Sequence, residues 1–229
     1  EYGLGNVQRN FFIADYLLYQ QEFSRDIFQR DYMLKDIYPG KILTCGYPRN
    51  VAFFNTKRYE QIRKEMGLEG KQVIVYMPTW RGLLYKKENP KQIQNLTKYL
   101  ADLDNLLKKN QVFYVKLHPY VKEGINLEGF IHIKEFPSQY ETYDFLNASD
   151  ALVTDYSSIM FDYAVANKKI VLFVYDKDEY LKDRGMYVNL DELGLPQARS
   201  VKRLQKILTD PQYDISAFRE RFCPYDSPD

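Results

Sequence analysis

Short apolar runs alternate with longer amphipathic segments along most of this sequence. Seven runs rich in β-branched and aromatic residues predict strands at 15–19, 42–46, 72–76, 112–117, 131–134, 151–154 and 170–175. Apolar residues recur at helical spacing over 22–33, 56–66, 93–109, 141–148, 158–166, 201–208 and 215–222. Most of the strands lack polar alternation, which is typical of strands buried on both faces of a sheet. The pattern therefore predicts an α/β fold with a parallel sheet.

A domain boundary is predicted between Pro48 and Gly70. Pro48 closes one strand-rich segment, a charged helical pattern follows, and Gly67 and Gly70 precede the next strand. We expect residues 1–55 to be the tail of a preceding domain and its linker, and residues 56–229 to form the main domain. Because the sequence starts at Glu1 rather than Met, we expect a fragment of a longer protein.

Composition narrows the class of protein. The 229 residues are 45% apolar, and 32 Lys plus Arg nearly balance 31 Asp plus Glu, so overall charge does not favour a nucleic-acid partner. The longest apolar stretch, 170–175, is far shorter than the roughly 20 residues of a membrane span. Cys45 and Cys223 form no CxxC pattern and predict reduced thiols, so we expect a cytoplasmic location.

The strongest local pattern follows the strand predicted at 151–154. Its last residue, Thr154, is followed by Asp155 and then by Ser157 and Ser158, where a helical pattern starts. One of the serines is predicted at the N-cap, with its hydroxyl and the following amides exposed. Such a helix end attracts phosphate. The alternative is that the serines only cap the helix.

A histidine follows another predicted strand. His118 comes just after 112–117, so it should lie at the carboxyl end of a parallel strand, where open α/β sheets bind ligands. A histidine there can donate to a phosphate oxygen or exchange a proton near neutral pH. Lys116, two residues earlier, should face the same side. The alternative is a histidine packed against Pro119, and His132 is expected to be structural.

Two further loops carry cationic and aromatic residues. After the strand at 72–76, Pro and Gly force a loop in which Trp80 offers a stacking face and Arg81 a fork for phosphate. Arg184 beside Gly185 repeats this theme after the strand at 170–175. Taken singly, each Arg is also compatible with a solvated turn residue and Trp80 with a core residue. The candidates in the first loop are Pro78, Thr79, Trp80 and Arg81.

Together these four loops predict a cationic, aromatic and amide-rich edge suited to a nucleotide diphosphate. No GxxxxGK[ST] pattern occurs, and Gln8 breaks the dinucleotide pattern that Gly3 and Gly5 begin. No DxD pair stands at a strand end to hold Mg²⁺, which favours chemistry without a metal or cofactor, in which cationic side chains and amides take the charge.

These motifs resemble the CDP-glycerol glycerophosphotransferase family, which builds teichoic acid chains in Gram-positive bacteria. The likeness spans nearly the whole sequence in the right order. The matching segments are 46–50 with the family's GYPRND block, 76–81 with APTWR, 116–119 with K-x-HP, 154–163 with TDYSS-x-x-FDY, and 175–187 with YD…Y…RGFY.

The resemblance implies a GT-B architecture, in which two Rossmann-like domains face a cleft, and this chain would supply the C-terminal, nucleotide-binding one. His118 is implied as the catalytic or diphosphate-contacting histidine, and Ser157, Ser158 and Arg184 as donor-phosphate contacts. Asp155 is expected to orient its turn. The full set of implied donor-binding residues is Lys116, Pro78, Thr79, Trp80, Arg81, Thr154, Asp155, Ser157, Ser158 and Arg184.

The implied activity is transfer of glycerol phosphate from CDP-glycerol to a lipid-linked acceptor hydroxyl, with release of CMP, at the inner face of the cell membrane. The family's WHGTP block is not found in these 229 residues, so we expect this piece alone to be inactive and any membrane contact to lie elsewhere. A CDP-ribitol phosphotransferase, a nucleotide-sugar GT-B glycosyltransferase and a non-catalytic nucleotide-binding module remain alternatives. The sequence leaves the oligomeric state open.

Overall fold

The computed structural model describes residues 4–81, 90–118 and 125–228. The strands in these ranges are β1 (Tyr16–Tyr19), β2 (Lys41–Thr44), β3 (Gln72–Tyr76), β4 (Gln111–Val115), β5 (Ile133–Glu135), β6 (Ala151–Thr154), β7 (Lys169–Phe173) and β8 (Gln197–Ala198). The α-helices are α1 (Leu4–Phe12), α2 (Glu22–Asp31), α3 (Thr56–Glu65), α4 (Pro90–Asp104), α5 (Thr142–Ala148), α6 (Ile159–Tyr163), α7 (Lys177–Asp183), α8 (Val201–Thr209) and α9 (Ser216–Phe222). Short 3-10 helices cover Pro48–Phe54, Ala164–Ala166 and Leu190–Glu192.

The strands form two sheets. β1 and β2 make a parallel pair, and the other six strands form one sheet in the order β5-β4-β3-β6-β7-β8. Every pairing in this six-stranded sheet is parallel. The predicted α/β class with a Rossmann-like parallel sheet is therefore confirmed.

Helices cover both faces of the six-stranded sheet. Successive strand residues point to opposite faces, so apolar strands place side chains on both faces that helices must cover. In β3, Val73 and Val75 belong to one apolar core with α5, α6 and α9, whereas Ile74 and Tyr76 belong to a second core with α4 and α8. All four side chains are buried. This two-sided burial explains why the strands lack polar alternation in the sequence.

The strand order creates a switch point between β3 and β6. From β3 the chain moves outward to β4 and β5, then returns to β6 on the other side of β3 and continues outward to β7 and β8. Open α/β sheets bind ligands at the carboxyl ends of the strands beside such a point. The loops that leave β3 and β6 here are 77–81 and 155–158.

The segment before α3 is attached to the six-stranded sheet by side chains. Phe53, in the first 3-10 helix, packs in the core that contains Val73. Arg49 forms a two-point ion pair with Asp162 of α6, with both N to O distances at 3.1 Å. The predicted division at residue 55 stays a prediction. Phe53, which precedes that position, packs with the later part of the chain.

The prediction was wrong about the extent of several elements and missed three of the described α-helices and strands. β7 ends at Phe173, two residues before the predicted end of its strand, and α4 begins at Pro90 and ends at Asp104. The missed elements are α1, α7 and β8. The predicted motif residues Gly3, Gly82 and Pro119 lie outside the described residues. Within the described ranges, no helix combines the length and apolar character needed to cross a bilayer.

Candidate functional site

The loops that follow β3, β4, β6 and β7 contact one another at the carboxyl edge of the six-stranded sheet. Thr79 follows β3 and hydrogen-bonds Asp155, which follows β6. Arg81 reaches Asp176, which follows β7, and Trp80 stacks on His118, which follows β4. Side chains therefore join all four of the loops in which the sequence placed candidate residues.

Asp155 is the buried centre of this contact set, with no exposed side-chain surface. Its carboxylate accepts hydrogen bonds from the Thr79 backbone N–H at 2.9 Å, the Thr79 hydroxyl at 2.7 Å and the Tyr156 backbone N–H at 2.6 Å. Thr154 adds a bond from its hydroxyl to the carbonyl of Met77 at 2.7 Å. A buried carboxylate needs such partners, and here they tie the loop after β3 to the loop after β6.

Arg81 supplies the positive charge that balances Asp155. Its Nη2 lies 2.8 Å from an Asp155 oxygen, and its Nε lies 2.8 Å from an Asp176 oxygen. Burial by itself lowers the pKa of the Arg81 guanidinium, but the charges of Asp155 and Asp176 outweigh it and raise the pKa. Arg81 is therefore a fixed cation in a nearly buried ion cluster.

Aromatic rings enclose the Arg81 cluster. Tyr156 and Tyr180 stack at a centroid distance of 3.7 Å with an interplanar angle of 10°, so the turn after β6 packs on α7. The Tyr156 hydroxyl donates to Asp176 at 2.9 Å. Burial raises the pKa of this hydroxyl, and the charge of Asp176 raises it further. Tyr156 therefore remains a neutral hydrogen-bond donor at physiological pH.

Trp80 and His118 form a stacked pair at the edge of the site. Their ring centroids are 5.2 Å apart and the rings are within 12° of parallel. Trp80 also packs on the apolar core that includes Leu117, whereas His118 is exposed. The ammonium of Lys116 lies 4.3 Å from the ring centroid of Phe136. His118 is exposed, whereas Trp80 and Lys116 are half-buried.

The two serines and Arg184 are placed as accessible groups. Ser158 is the N-cap of α6, as predicted, but its hydroxyl makes no capping hydrogen bond. Among the described residues, the Ser157 hydroxyl accepts one long bond, of 3.4 Å, from the N–H of Ile159. Arg184 is exposed at the end of α7, and it lines a small cavity of about 90 Å³ together with Arg81. These hydroxyls are therefore not devoted to helix capping.

A larger cavity of about 620 Å³ opens beside the loop after β4. Leu117 and Lys116 form one wall, and Phe136 and Ser138, which follow β5, form another. Val115, residues 125–130 and residues 133–135 line the remainder. The cavity combines apolar side chains with a few polar ones, which is typical of small-molecule sites.

The structure thus brings most of the predicted site residues into one contact network or its border. Thr79, Trp80, Arg81, Asp155 and His118 are joined directly, and their roles toward a donor stay predictions. Pro78, Thr154, Lys116, Ser157 and Ser158 lie on the same loops or at the strand ends that lead into them, whereas Arg184 lies at the end of α7.

Sequence reasoning did not select Asp176 or Gln92 as site residues. Asp176 follows β7 just as Asp155 follows β6, so its place after a strand was an available signal. Gln92 lies in α4 and is buried, and it binds the loop after β3 through its side-chain amide. No local pattern marks Gln92.

The chain is similar in sequence to several known proteins. The chain is 33% identical to the teichoic acid poly(glycerol phosphate) polymerase of Staphylococcus epidermidis over 93% of its length and 31% of that protein. It is 30% identical to the teichoic acid glycerol-phosphate primase of Bacillus subtilis over 92% of its length and 54% of that protein. A ribitol-phosphate polymerase of Bacillus spizizenii is also 30% identical, over 76% of the chain and 29% of that protein. The chain thus spans between about a third and about half of these relatives.

The fold also matches a solved structure. A variant of the wall teichoic acid polymerase TagF, soaked with CDPG, superposes with a TM-score of 0.75 at 30% identity. The match covers 97% of this chain and 57% of that one, and it supports the predicted GT-B type of Rossmann-like domain. The sequence model described as CDP-glycerol:poly(glycerophosphate) glycerophosphotransferase matches residues 3–228. The chain therefore belongs to the CDP-glycerol:poly(glycerophosphate) glycerophosphotransferase family.

Proposed function

We propose that this chain is the donor-binding part of an enzyme that transfers glycerol phosphate from CDP-glycerol to a hydroxyl of a lipid-linked teichoic acid acceptor. The observation that carries the proposal is the contact network that joins the loops after β3, β4, β6 and β7 at the switch point of the sheet. Membership of the family and the similarity to glycerol-phosphate enzymes support the same donor.

The donor diphosphate is proposed to lie over the loops after β3 and β6. Ser157 and Ser158 offer hydroxyl and backbone donors there, and the exposed side chains of His118 and Arg184 flank the loops. Charge-assisted hydrogen bonds from such groups to phosphate oxygens are stronger than neutral ones. That the diphosphate is bound without a cofactor stays a prediction from the sequence.

The nucleoside is proposed to enter the cavity of about 620 Å³ beside β4 and β5. From β6 to β4 is two strand spacings, or about 10 Å, so an extended nucleoside diphosphate could reach from Ser158 to this cavity. Phe136 and Leu117 provide apolar contact for a base. One face of the Trp80 ring is already covered by His118.

The proposed chemistry is phosphoryl transfer. A base takes the proton of the acceptor hydroxyl, whose oxygen then bonds to the phosphorus distal to cytidine. The bond from that phosphorus to the bridging oxygen breaks, and its electron pair leaves with CMP. His118 donates to an oxygen of the departing CMP, and Arg184 together with the backbone amides of Ser157 and Ser158 stabilises its charge.

The acceptor and the location are part of the same proposal. Because the acceptor is lipid-linked, the whole protein would work at the inner face of the cell membrane as a peripheral protein. The 229 residues described by this sequence would supply donor binding, and the acceptor base would come from the part that the longer relatives possess.

Two measurements test the proposal. Trp80 is the only tryptophan, so its fluorescence reports directly on the loop after β3. Titration with CDP-glycerol should change this fluorescence, and no response at millimolar ligand would count against a donor site. The full-length protein should release CMP, detected by mass spectrometry, from CDP-glycerol rather than from a UDP-sugar.

A CDP-ribitol donor is the second candidate, favoured by the similarity to a ribitol-phosphate polymerase. Competition between CDP-glycerol and CDP-ribitol in the CMP-release assay separates the two donors. If donor binding occurs but full-length protein releases no CMP from either, a non-catalytic nucleotide-binding module becomes the better explanation.

A further inference from the structure

We propose that Arg81 is a positioning residue, which holds the loops after β3, β6 and β7 in one arrangement, rather than a direct ligand of the donor phosphates. This inference rests on the proposed donor site and changes the role that the sequence suggested for Arg81.

All three guanidinium nitrogens already contact oxygens of the protein. Nε lies 2.8 Å and Nη2 3.2 Å from the two carboxylate oxygens of Asp176. Nη2 also lies 2.8 Å from an oxygen of Asp155, and Nη1 donates to the carbonyl of Thr79. The two-point fork that would suit a phosphate is therefore used on Asp176.

Burial makes this arrangement hard to leave. The Arg81 side chain is 10% exposed, and the side chains of Asp155 and Asp176 are 0% and 16% exposed. The guanidinium carbon also lies 4.9 Å from the ring centroid of Tyr156 and 5.1 Å from that of Tyr180. Turning the guanidinium toward a ligand would leave a buried carboxylate without its counter-charge, which is strongly unfavourable.

The charge of the cluster also disfavours a phosphate ligand. Two carboxylates and one guanidinium carry a formal net charge of about −1 when all are ionised. A net negative group next to a diphosphate repels it. The cluster is more useful as a rigid support, because Asp155 accepts the backbone N–H groups of Thr79 and Tyr156 and so fixes the backbone that leads into Ser157 and Ser158.

The chain contains a matched control for the test. Arg49 makes the same kind of two-point pair with Asp162, and the Tyr143 hydroxyl donates to Asp162 just as Tyr156 donates to Asp176. Both Arg→Lys changes keep the charge and lose the planar fork. We expect Arg81→Lys to raise the dissociation constant for CDP-glycerol at least about tenfold. Arg49→Lys should change this constant less than about twofold. Both constants are measured by calorimetry on the folded full-length protein.

Asp176→Asn separates positioning from direct binding by the sign of its effect. If Arg81 were a phosphate ligand, this change would free its fork and remove a negative charge, so CDP-glycerol would bind more tightly. If Arg81 is a positioning residue, the change weakens the cluster, and we expect this loss to outweigh the removal of one negative charge, so that CDP-glycerol binds less tightly. Binding by Asp176→Asn as tight as or tighter than that of the natural protein would overturn the proposal.

A measurement without ligand keeps this inference separate from the proposed function. In ligand-free protein, Arg81→Lys and Asp176→Asn should shift the backbone amide NMR signals of Ser157 and Ser158, whereas Arg49→Lys, which acts on Asp162 further along α6, should shift them less. If the natural protein binds no CDP-glycerol, the proposed function fails, but these spectra still test the positioning role. Unmoved signals in both cluster variants would overturn it.

Discussion

His118 combines an exposed imidazole with a fixed ring plane, because it stacks on Trp80 at a centroid distance of 5.2 Å. We expect His118→Ala to lower the rate of CMP release from CDP-glycerol at least about a hundredfold, which is the usual contribution of a positioned acid or base. The variant should remain folded by circular dichroism because the side chain is at the surface. The rate is measured at steady state with full-length protein.

His132→Ala is the matched control for this prediction. His132 lies just before β5, away from the strand ends that form the site, and its ring lies 3.2 Å from the carbonyl of Gln111. The His132→Ala variant should release CMP at a rate close to that of the natural protein. A similar rate from His118→Ala would remove His118 from the proposed mechanism.

Lys168 gives the molecule a pH-dependent stability that is unrelated to the site. Burial lowers its pKa, the charge of Asp150 acts in the opposite direction and the charge of Arg63 lowers it, so that the pKa is about 8. In the unfolded chain the ordinary value is 10.5. Between these two values the unfolded state binds more protons than the folded state, so stability rises with pH from about 8 to about 10.5.

We expect Lys168→Met to remove this rise. The difference in unfolding free energy between about pH 7 and about pH 9.5 should fall by about 1–2 kcal/mol relative to the natural protein. Urea denaturation at both pH values measures it. Lys98→Met, on an exposed position of α4, should retain the rise. If Lys168→Met retained it as well, another group would be its source.

Helix α4 holds the loop after β3 through one buried side chain. Gln92 is 3% exposed. Its side-chain oxygen accepts the Arg81 N–H at 3.0 Å, and its nitrogen donates to the Thr79 carbonyl at 3.0 Å. We expect Gln92→Ala to lower the free energy of unfolding by about 1–3 kcal/mol, because two backbone groups lose a partner. It should also weaken CDP-glycerol binding, since the loop is less well held.

Gln94→Ala offers the same chemical change at an exposed position of the same helix. It should change the unfolding free energy by less than about 0.5 kcal/mol and leave binding unchanged. Urea denaturation and the Trp80 fluorescence titration measure both effects. Equal behaviour of the two variants would show that Gln92 does not support the loop.

The elements could be predicted where the hydrophobic pattern was long or fully buried. β3 and β6 were predicted with their observed bounds, because the apolar run of β3 ends shortly before Pro78 and that of β6 ends before Asp155. α7 was missed because a charged seven-residue helix shows too little periodicity, and β8 because it has only two residues. β7 ends early because the chain turns at Tyr175, whose ring packs on Tyr99 at 4.7 Å.

The sequence predicted that the site lies at the carboxyl edge of the sheet, but it did not predict the contacts between the side chains there. Parallel strands bring their carboxyl ends together, so the positions of Thr79, His118 and Asp155 followed from the strand pattern alone. The partners of Arg81 could not be predicted, because they depend on how loops after three different strands cross. For this reason the sequence suggested a phosphate ligand where the structure has an ion pair with Asp176.

At the scale of the whole molecule, the pair of strands β1 and β2 differs from the main sheet. Apolar side chains on both strands are exposed, including Tyr16 at 56% and Leu43 at 42%. Parallel sheets are normally covered on both faces. This exposure supports the proposal that residues 1–55 belong with another domain, and it makes the attachment of β1 and β2 to the main sheet important.

Asp226 provides much of that attachment. Its carboxylate accepts hydrogen bonds from the side-chain amides of Gln20, next to β1, at 2.7 Å and of Asn50 at 2.8 Å. The backbone N–H of Tyr47 adds a third at 3.3 Å. Because Asn50 is 1% exposed, its amide would be left without this partner in a buried position if the carboxylate were removed.

We expect Asp226→Ala to lower the free energy of unfolding by about 1.5–3 kcal/mol, the usual value for hydrogen bonds to a charged group. Asp226→Asn should lose less, because its carbonyl oxygen can still accept from Asn50. Asp178→Ala is the surface control, since that side chain is 83% exposed and its ion pair with Arg199 is worth little. Urea denaturation measures the free energy of unfolding of the three variants. If Asp226→Ala were as stable as Asp178→Ala, the prediction would be wrong. Apolar packing, such as that of Phe23 against Phe222, would then hold β1 and β2.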